Sequence, residues 1–151
     1  MIQRIQSIYL VIAAVAALAV LVAPCVTLPG EGGSYVMSGL EIAAADTGIA
    51  TSHPWGVMFF AIAATALLGV AIFKYGDRPK QMRIVSGGML FLLLLYITMI
   101  VYGYAFSSHA NTGFKPAWGA ALPAVSYVMA WLARRAIRKD EELVRAADRI
   151  R

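Results

Sequence analysis

The sequence predicts an all-α membrane protein, a four-transmembrane-helix bundle with a possible short β-hairpin in its first outer loop, and three observations carry that prediction. Four long apolar runs contain no Asp, Glu, Lys, Arg or His: Ile5 to Gly30, Pro54 to Phe73, Ile84 to Phe106 and Pro116 to Ala133. The composition is 60% hydrophobic and 14% charged, whereas about a quarter of a soluble domain is charged. Twelve of the 13 Lys and Arg residues flank the runs on what must be one side.

A hydrocarbon core about 30 Å thick needs roughly 20 residues at 1.5 Å rise, so each run is long enough to cross it. Lipid offers no partner to backbone N–H and C=O, which makes such runs helical, and the period-2 alternation of a membrane barrel is absent. The predicted spans are approximately 5–25, 54–73, 84–106 and 116–135, with a periplasmic loop at 26–53 and a cytoplasmic tail at 136–151. Little of the chain is left over, so 1–151 reads as a single membrane domain.

Arg4 precedes the first span; Lys74, Arg78, Lys80 and Arg83 join the second to the third; Arg134, Arg135, Arg138, Lys139, Arg145, Arg149 and Arg151 follow the fourth. Only Lys115 lies in the opposite loops, beside Glu31, Glu41 and Asp46. The positive-inside rule therefore puts both termini in the cytoplasm. The net charge of +5 is a polarity held against anionic headgroups, which makes membrane lipids the expected partner and argues against nucleic acid.

The first span reads as a mature helix. A signal peptide would need a cleavage site, but Ala23 is followed by Pro24, and that proline also ill suits lipoprotein processing at Cys25. Cys25, the only cysteine, reads as a small apolar residue at the membrane edge. In the following loop Pro29, Gly30, Gly32 and Gly33 mark turns, and Tyr35-Val36-Met37 and Leu40-Glu41-Ile42 flank Ser38-Gly39 as the hairpin, which must rest on helix ends or on a partner.

Small residues recur four apart in the spans: Ala13 and Ala17, then Ala61, Thr65 and Gly69, then Ala120 and Ala124. Such stripes let membrane helices approach closely. The third span opens with Ser86-Gly87-Gly88 and then turns bulky, from Leu90 to Leu95, to fill its neighbours' small stripes and to face lipid. Trp55, Tyr102, Tyr104, Phe106 and Trp118 form an outer aromatic belt, and Tyr9, Phe73, Tyr75 and Trp131 an inner one. Pro54 and Pro116 suit first helical turns, while Pro123 is expected to kink the fourth span and release the Gly119 carbonyl.

From Ala133 the fourth helix is expected to continue as a cytoplasmic extension with Ile137, Val144, Ala147 and Ile150 on one stripe and the pairs Arg138/Glu142 and Glu141/Arg145 four apart. Arg138, Lys139, Glu142, Arg145 and Arg149 make it a surface for the inner leaflet or for a protein partner.

Catalytic candidates are few. His53 and His109 border the second and third spans on the outer side, and a metal would need Glu41 or Asp46 as well. No HExxH, phosphate-cradling glycine loop or nucleophile elbow is present. Tyr96, Met99, Gly103 and Phe106 fall on one face of the third span at helical spacing, a face that packs the core or lies along a ligand; a cavity near Tyr96, Pro123 and Tyr127 is where a lipid, quinone or other small molecule would sit. The spans hold no ionisable residue, which disfavours proton-coupled transport. No enzyme activity, cofactor or resident metal is expected.

The start Met1-Ile2-Gln3-Arg4-Ile5-Gln6-Ser7-Ile8-Tyr9-Leu10 and the finish from Arg135 through Ala136-Ile137-Arg138-Lys139-Asp140-Glu141-Glu142-Leu143-Val144-Arg145 to Arg151 resemble a family of small four-span inner-membrane proteins of the Bacteroidota, classified as a domain of unknown function. The resemblance spans the chain in topology and is specific in motif at its two ends. It implies an inner-membrane location and four helices and supplies no catalytic residues. The expected role is a non-enzymatic structural or accessory subunit, bound to other membrane or cytoplasmic subunits or to itself; the alternative is a lipid-, quinone- or small-molecule-binding carrier.

Overall fold

The apolar runs fold into helices, and the computed structural model, which describes residues 2–30 and 33–148, contains four helices and one sheet among those residues. Helix α1 is Ile2–Ala19, α2 is Trp55–Phe73, α3 is Arg78–Ala110 and α4 is Leu122–Asp148. Hydrogen-bonded turns carry the chain from Ala19 on to Ala23. Helices α2 and α3 are long and apolar enough to cross a membrane; the apolar part of α1, Ile5–Ala19, is shorter, and α4 is half polar.

Local chemistry sets the boundaries. Asp77 caps α3 by accepting the Lys80 N–H at 3.3 Å, and Pro79 sits in the first turn, where an N–H would have no helical partner. Asn111 ends α3 in the left-handed conformation, φ 51°, which asparagine tolerates better than most residues. The short link between α2 and α3 forces them antiparallel. Each helix packs on two others, α1 on α2 and α4, and α3 on α2 and α4, so the four close an up-and-down ring.

The core runs down the middle through Leu10, Ala13 and Ala17 of α1, Ala61, Ala64 and Leu68 of α2, Leu92, Leu95 and Met99 of α3, and Ala130, Ala133 and Ile137 of α4. Gly88 lets Leu68 close on α3, since a Cβ there would lie 3.1 Å from the leucine side chain. The strict four-residue stripes are corrected in part. Thr65, Gly69 and Ala124 are not among the buried residues, because each step of four advances 400° and drifts about 40° off the packing face. Alternating threes and fours, as in Val57, Ala61, Ala64, Leu68 and Ala71, hold that face.

Pro123 is also corrected: it does not kink a helix. A 3-10 turn, Trp118–Ala121, precedes α4, so Pro123 lies in the helix's first turn, and the Gly119 carbonyl accepts the Leu122 N–H. Pro116 opens no helix either, because it pairs in a strand.

The hairpin forms in part as expected, with Tyr35-Val36-Met37 in its first strand, but Leu40 and Glu41 lie in the turn and the second strand begins at Ile42; the hairpin belongs to a larger antiparallel sheet. Strands β1 (Val26–Gly30), β2 (Gly33–Met37), β3 (Ile42–Ala44), β4 (Ala50–Ser52) and β5 (Lys115–Pro116) make five strands in the order β4-β3-β2-β1-β5. Pro29 and Gly30, expected in a turn, pair with Ser34 and Gly33, while Val26 and Thr27 pair with Pro116 and Lys115 on the other edge. Ser38 closes the β2–β3 turn: its Oγ accepts the Leu40 and Glu41 N–H groups. The sheet is bonded to helix ends. The Gly39 N–H donates to the Val20 carbonyl at 3.0 Å, and the Ala117 and Gly119 N–H groups donate to Cys25 and Pro24 carbonyls at 3.0 Å each. Val26, Leu28, Met37 and Ile42 turn inward beneath it.

A candidate groove between the third and fourth helices

Bonds between helices place the described basic segments that flank the helices at the end of the bundle opposite the sheet. The buried Gln6 of α1 donates from Nε2 to the Ala136 carbonyl of α4 at 3.2 Å, and the buried Gln81 of α3 to the Ala71 carbonyl of α2 at 2.9 Å. Arg78, opening α3, meets Asp140 of α4 at 2.9 Å. Beside it the Asp77 carboxyl is held below the usual carboxylate range, first by its hydrogen bond from the Lys80 side chain at 2.7 Å and then by the Lys80 N–H. Midway along the bundle, the buried Ser126 hydroxyl donates to the Ala13 carbonyl at 2.7 Å.

Along the outside of the α3/α4 seam runs an apolar groove of about 300 Å³, walled by Leu93, Tyr96 and Ile97 on one side and by Pro123, Tyr127 and Val128 on the other. Tyr96, Pro123 and Tyr127 of the sequence-derived face thus meet at one place. Met99 does not join them: it is 2% exposed and belongs to the core. Gly103 lies against the Phe114 ring, and Phe106 packs edge-on to Tyr35 at 5.2 Å, under the sheet. The four residues had seemed one face because spacings of three and four wind slowly around a helix, and over ten residues they cover both core and rim.

Toward the basic end the same seam opens into a depression of about 350 Å³ lined by Met82, Trp131, Arg134, Arg135 and Arg138. The Arg135 guanidinium carbon lies 5.7 Å from the centre of the Trp131 ring, in cation–π range. A second depression of about 420 Å³ shares Met82 and Arg134 and adds Arg83, Glu141 and Arg145. Trp131, Arg134 and Arg135 were read from the sequence only as belt and topology residues. The signal that would have joined them to Tyr127 is spacing, since positions 127, 131, 134, 135 and 138 follow steps of three and four.

The histidines make no comparable site. His53 Nδ1 lies 3.0 Å from the Leu40 carbonyl oxygen and its ring tilts over Trp55 at 5.9 Å, while His109 is exposed in the last turn of α3. Among the described residues no three of His, Cys, Asp and Glu come together to hold a metal, so neither Glu41 nor Asp46 completes such a set. On the extension of α4, Arg138 pairs with Glu142 at 3.0 Å and Arg145 with Glu141 at 2.6 Å. Lys139 is exposed, Ile137 is buried and Val144 is 40% exposed. Arg149 and Ile150 lie outside the described residues.

A comparison with curated proteins finds no match. The family defined as a domain of unknown function, DUF4293, matches residues 2–150, and the chain belongs to that family.

Proposed function

We propose that the chain is a four-span integral protein of a bacterial inner membrane, both termini cytoplasmic, acting as a non-enzymatic structural or accessory subunit of a membrane complex. One observation carries the membrane part of this reading: large apolar side chains face outward on every helix. Ile8, Val15 and Leu18 of α1, Phe59, Ile62 and Val70 of α2, Leu90, Leu93 and Ile97 of α3, and Val125 and Val128 of α4 are each at least 42% exposed. Such a belt around a whole bundle far exceeds the patches that a monomer tolerates in water, and lipid would cover it. The exposed rings of Trp55, Tyr104 and Trp118 toward the sheet and of Phe73, Tyr75 and Trp131 toward the basic end suit the two interfaces.

The subunit role is favoured by where distinctive polar surface lies: the sheet at one end and the charged extension of α4 at the other. Purification of the tagged native protein in mild detergent, followed by mass spectrometry, tests it. Stoichiometric co-purifying proteins are expected, and deletion of 140–151 should release those held by the tail; recovery of the protein alone overturns the role. The second reading, a lipid-, quinone- or small-molecule-binding carrier, is favoured by the groove at Tyr96, Pro123 and Tyr127.

A further inference from the structure

At 100° per residue, Ala124, Tyr127, Arg135 and Arg138 lie within about 40° of Trp131, and on α3 Leu93 and Tyr96 lie within about 40° of Met82. The apolar groove and the arginine-lined depression are therefore two ends of one seam. From Pro123 to Trp131 the apolar part of the seam covers eight steps, roughly 12 Å, somewhat under half of a 30 Å hydrocarbon core. Trp131 stands between the apolar and cationic parts, at the level where amphipathic rings mark the edge of the hydrocarbon.

Charge sharpens what fits there. Arg138 is engaged by Glu142, and Arg145 by Glu141, whereas Arg134 and Arg135 form no ion pair among the described residues. Two guanidinium groups without carboxylate partners, at the mouth of an apolar groove that reaches through most of one leaflet's depth, match an amphipath with an anionic phosphate head. Guanidinium forks bind phosphate oxygens in bidentate fashion, and basic pockets between membrane helices on the cytoplasmic side suit such heads.

We propose that the α3/α4 seam holds one anionic phospholipid of the cytoplasmic leaflet. Its phosphate rests on Arg134 and Arg135, with Arg138 at the rim, its glycerol lies beside Trp131, and one acyl chain lies between Leu93, Tyr96 and Ile97 of α3 and Tyr127 and Val128 of α4. This rests on the membrane reading and gives the second reading a ligand class.

The experiment is lipid exchange on the full chain in nanodiscs of phosphatidylglycerol and phosphatidylethanolamine with identical acyl chains, read by native mass spectrometry of the released protein. The wild type should retain phosphatidylglycerol preferentially, and Arg134→Gln/Arg135→Gln should lower that preference roughly tenfold. Lys74→Gln, in the exposed link between α2 and α3, removes a positive charge outside the seam and should leave it unchanged. Ala124→Phe, which fills the groove from an exposed position, should reduce retention of either lipid. Preference unchanged in the double variant, or lost equally in Lys74→Gln, overturns the proposal. Displacement of the lipid by millimolar inorganic phosphate alone overturns it in favour of a soluble-anion site. Alkaline carbonate washing of native membranes separates the two readings: release of the protein ends the membrane reading, while retention without lipid preference ends only this one.

Discussion

Arg78 and Asp140 meet at 2.9 Å across the basic end of the bundle, joining the first residue of α3 to the polar half of α4 with side chains only 28% and 15% exposed. The pair anchors the extension of α4, which otherwise buries only Ile137 near this point. It also draws the loop between α2 and α3 toward the arginines of α4.

Breaking that pair should loosen the end of the bundle. A surface pair contributes up to about 1 kcal/mol and a buried one costs several when halved, so Asp140→Asn at this partial burial should cost about 1–2 kcal/mol. A double-mutant cycle with Arg78→Gln, read by thermal unfolding in detergent, checks it: additive effects would deny the coupling.

Ser126 ties α4 to α1 through the Ala13 carbonyl at 2.7 Å in a fully buried position. Hydrogen bonds between membrane helices average about 0.6 kcal/mol, so Ser126→Ala should lower stability by roughly that amount. Ser126→Leu should cost more, about 1–3 kcal/mol, because α1 and α4 have no spare volume there. Unfolding of the two variants under identical detergent conditions gives the comparison.

Gly119 is the seam between sheet and helices. Its N–H donates to the Pro24 carbonyl at 3.0 Å, and a Cβ would stand 2.5 Å from that oxygen. Gly119→Ala must push β1 and the start of α4 apart, at about 1–3 kcal/mol. Limited proteolysis should then cut within 26–53 sooner than in the wild type.

The Asp77 cap has a defined pH response. Its carboxyl is held below its ordinary value of 3.8 by Lys80, so the stabilisation it gives α3 is present above that value. It is lost as the pH falls through the lowered folded-state value. Asp77→Asn, which keeps a capping oxygen but no titration, should flatten the fall in melting temperature on acidification below about pH 4, as measured by scanning in the range 5 to 2.5.

Accessibility tests the orientation. In a Cys25→Ala background, Asp46→Cys should react with a membrane-impermeant maleimide added outside spheroplasts, and Lys139→Cys only after permeabilisation. Cys25 itself is fully buried, with its thiol against the Ala23 carbonyl at 3.3 Å, and should stay unlabelled until the protein is denatured. Labelling of position 139 in intact spheroplasts would reverse the topology.

Much of the fold is legible in the chain. The long charge-free apolar runs from Pro54 to Phe73 and from Ile84 to Phe106 predict helices, and α2 and α3 lie there. Glu141/Arg145 and Arg138/Glu142 are local pairs at helical spacing, and both form. The sheet was less legible: β1 and β5 are separated by most of the sequence, and a two-residue strand such as Lys115–Pro116 leaves no periodic trace.

By itself, then, the sequence determined which segments are helical and apolar, because hydrophobicity and backbone satisfaction act over neighbouring residues. It also sorted the described basic segments to one end of the bundle, because helices that alternate in direction put their links at alternate ends. Only the tertiary structure decided which face of each helix is core, that Met99 belongs to that core and not to the groove of Tyr96 and Tyr127, and that Arg78 finds Asp140. Those relationships depend on helix rotation and register, and packing of side chains far apart in the chain sets both.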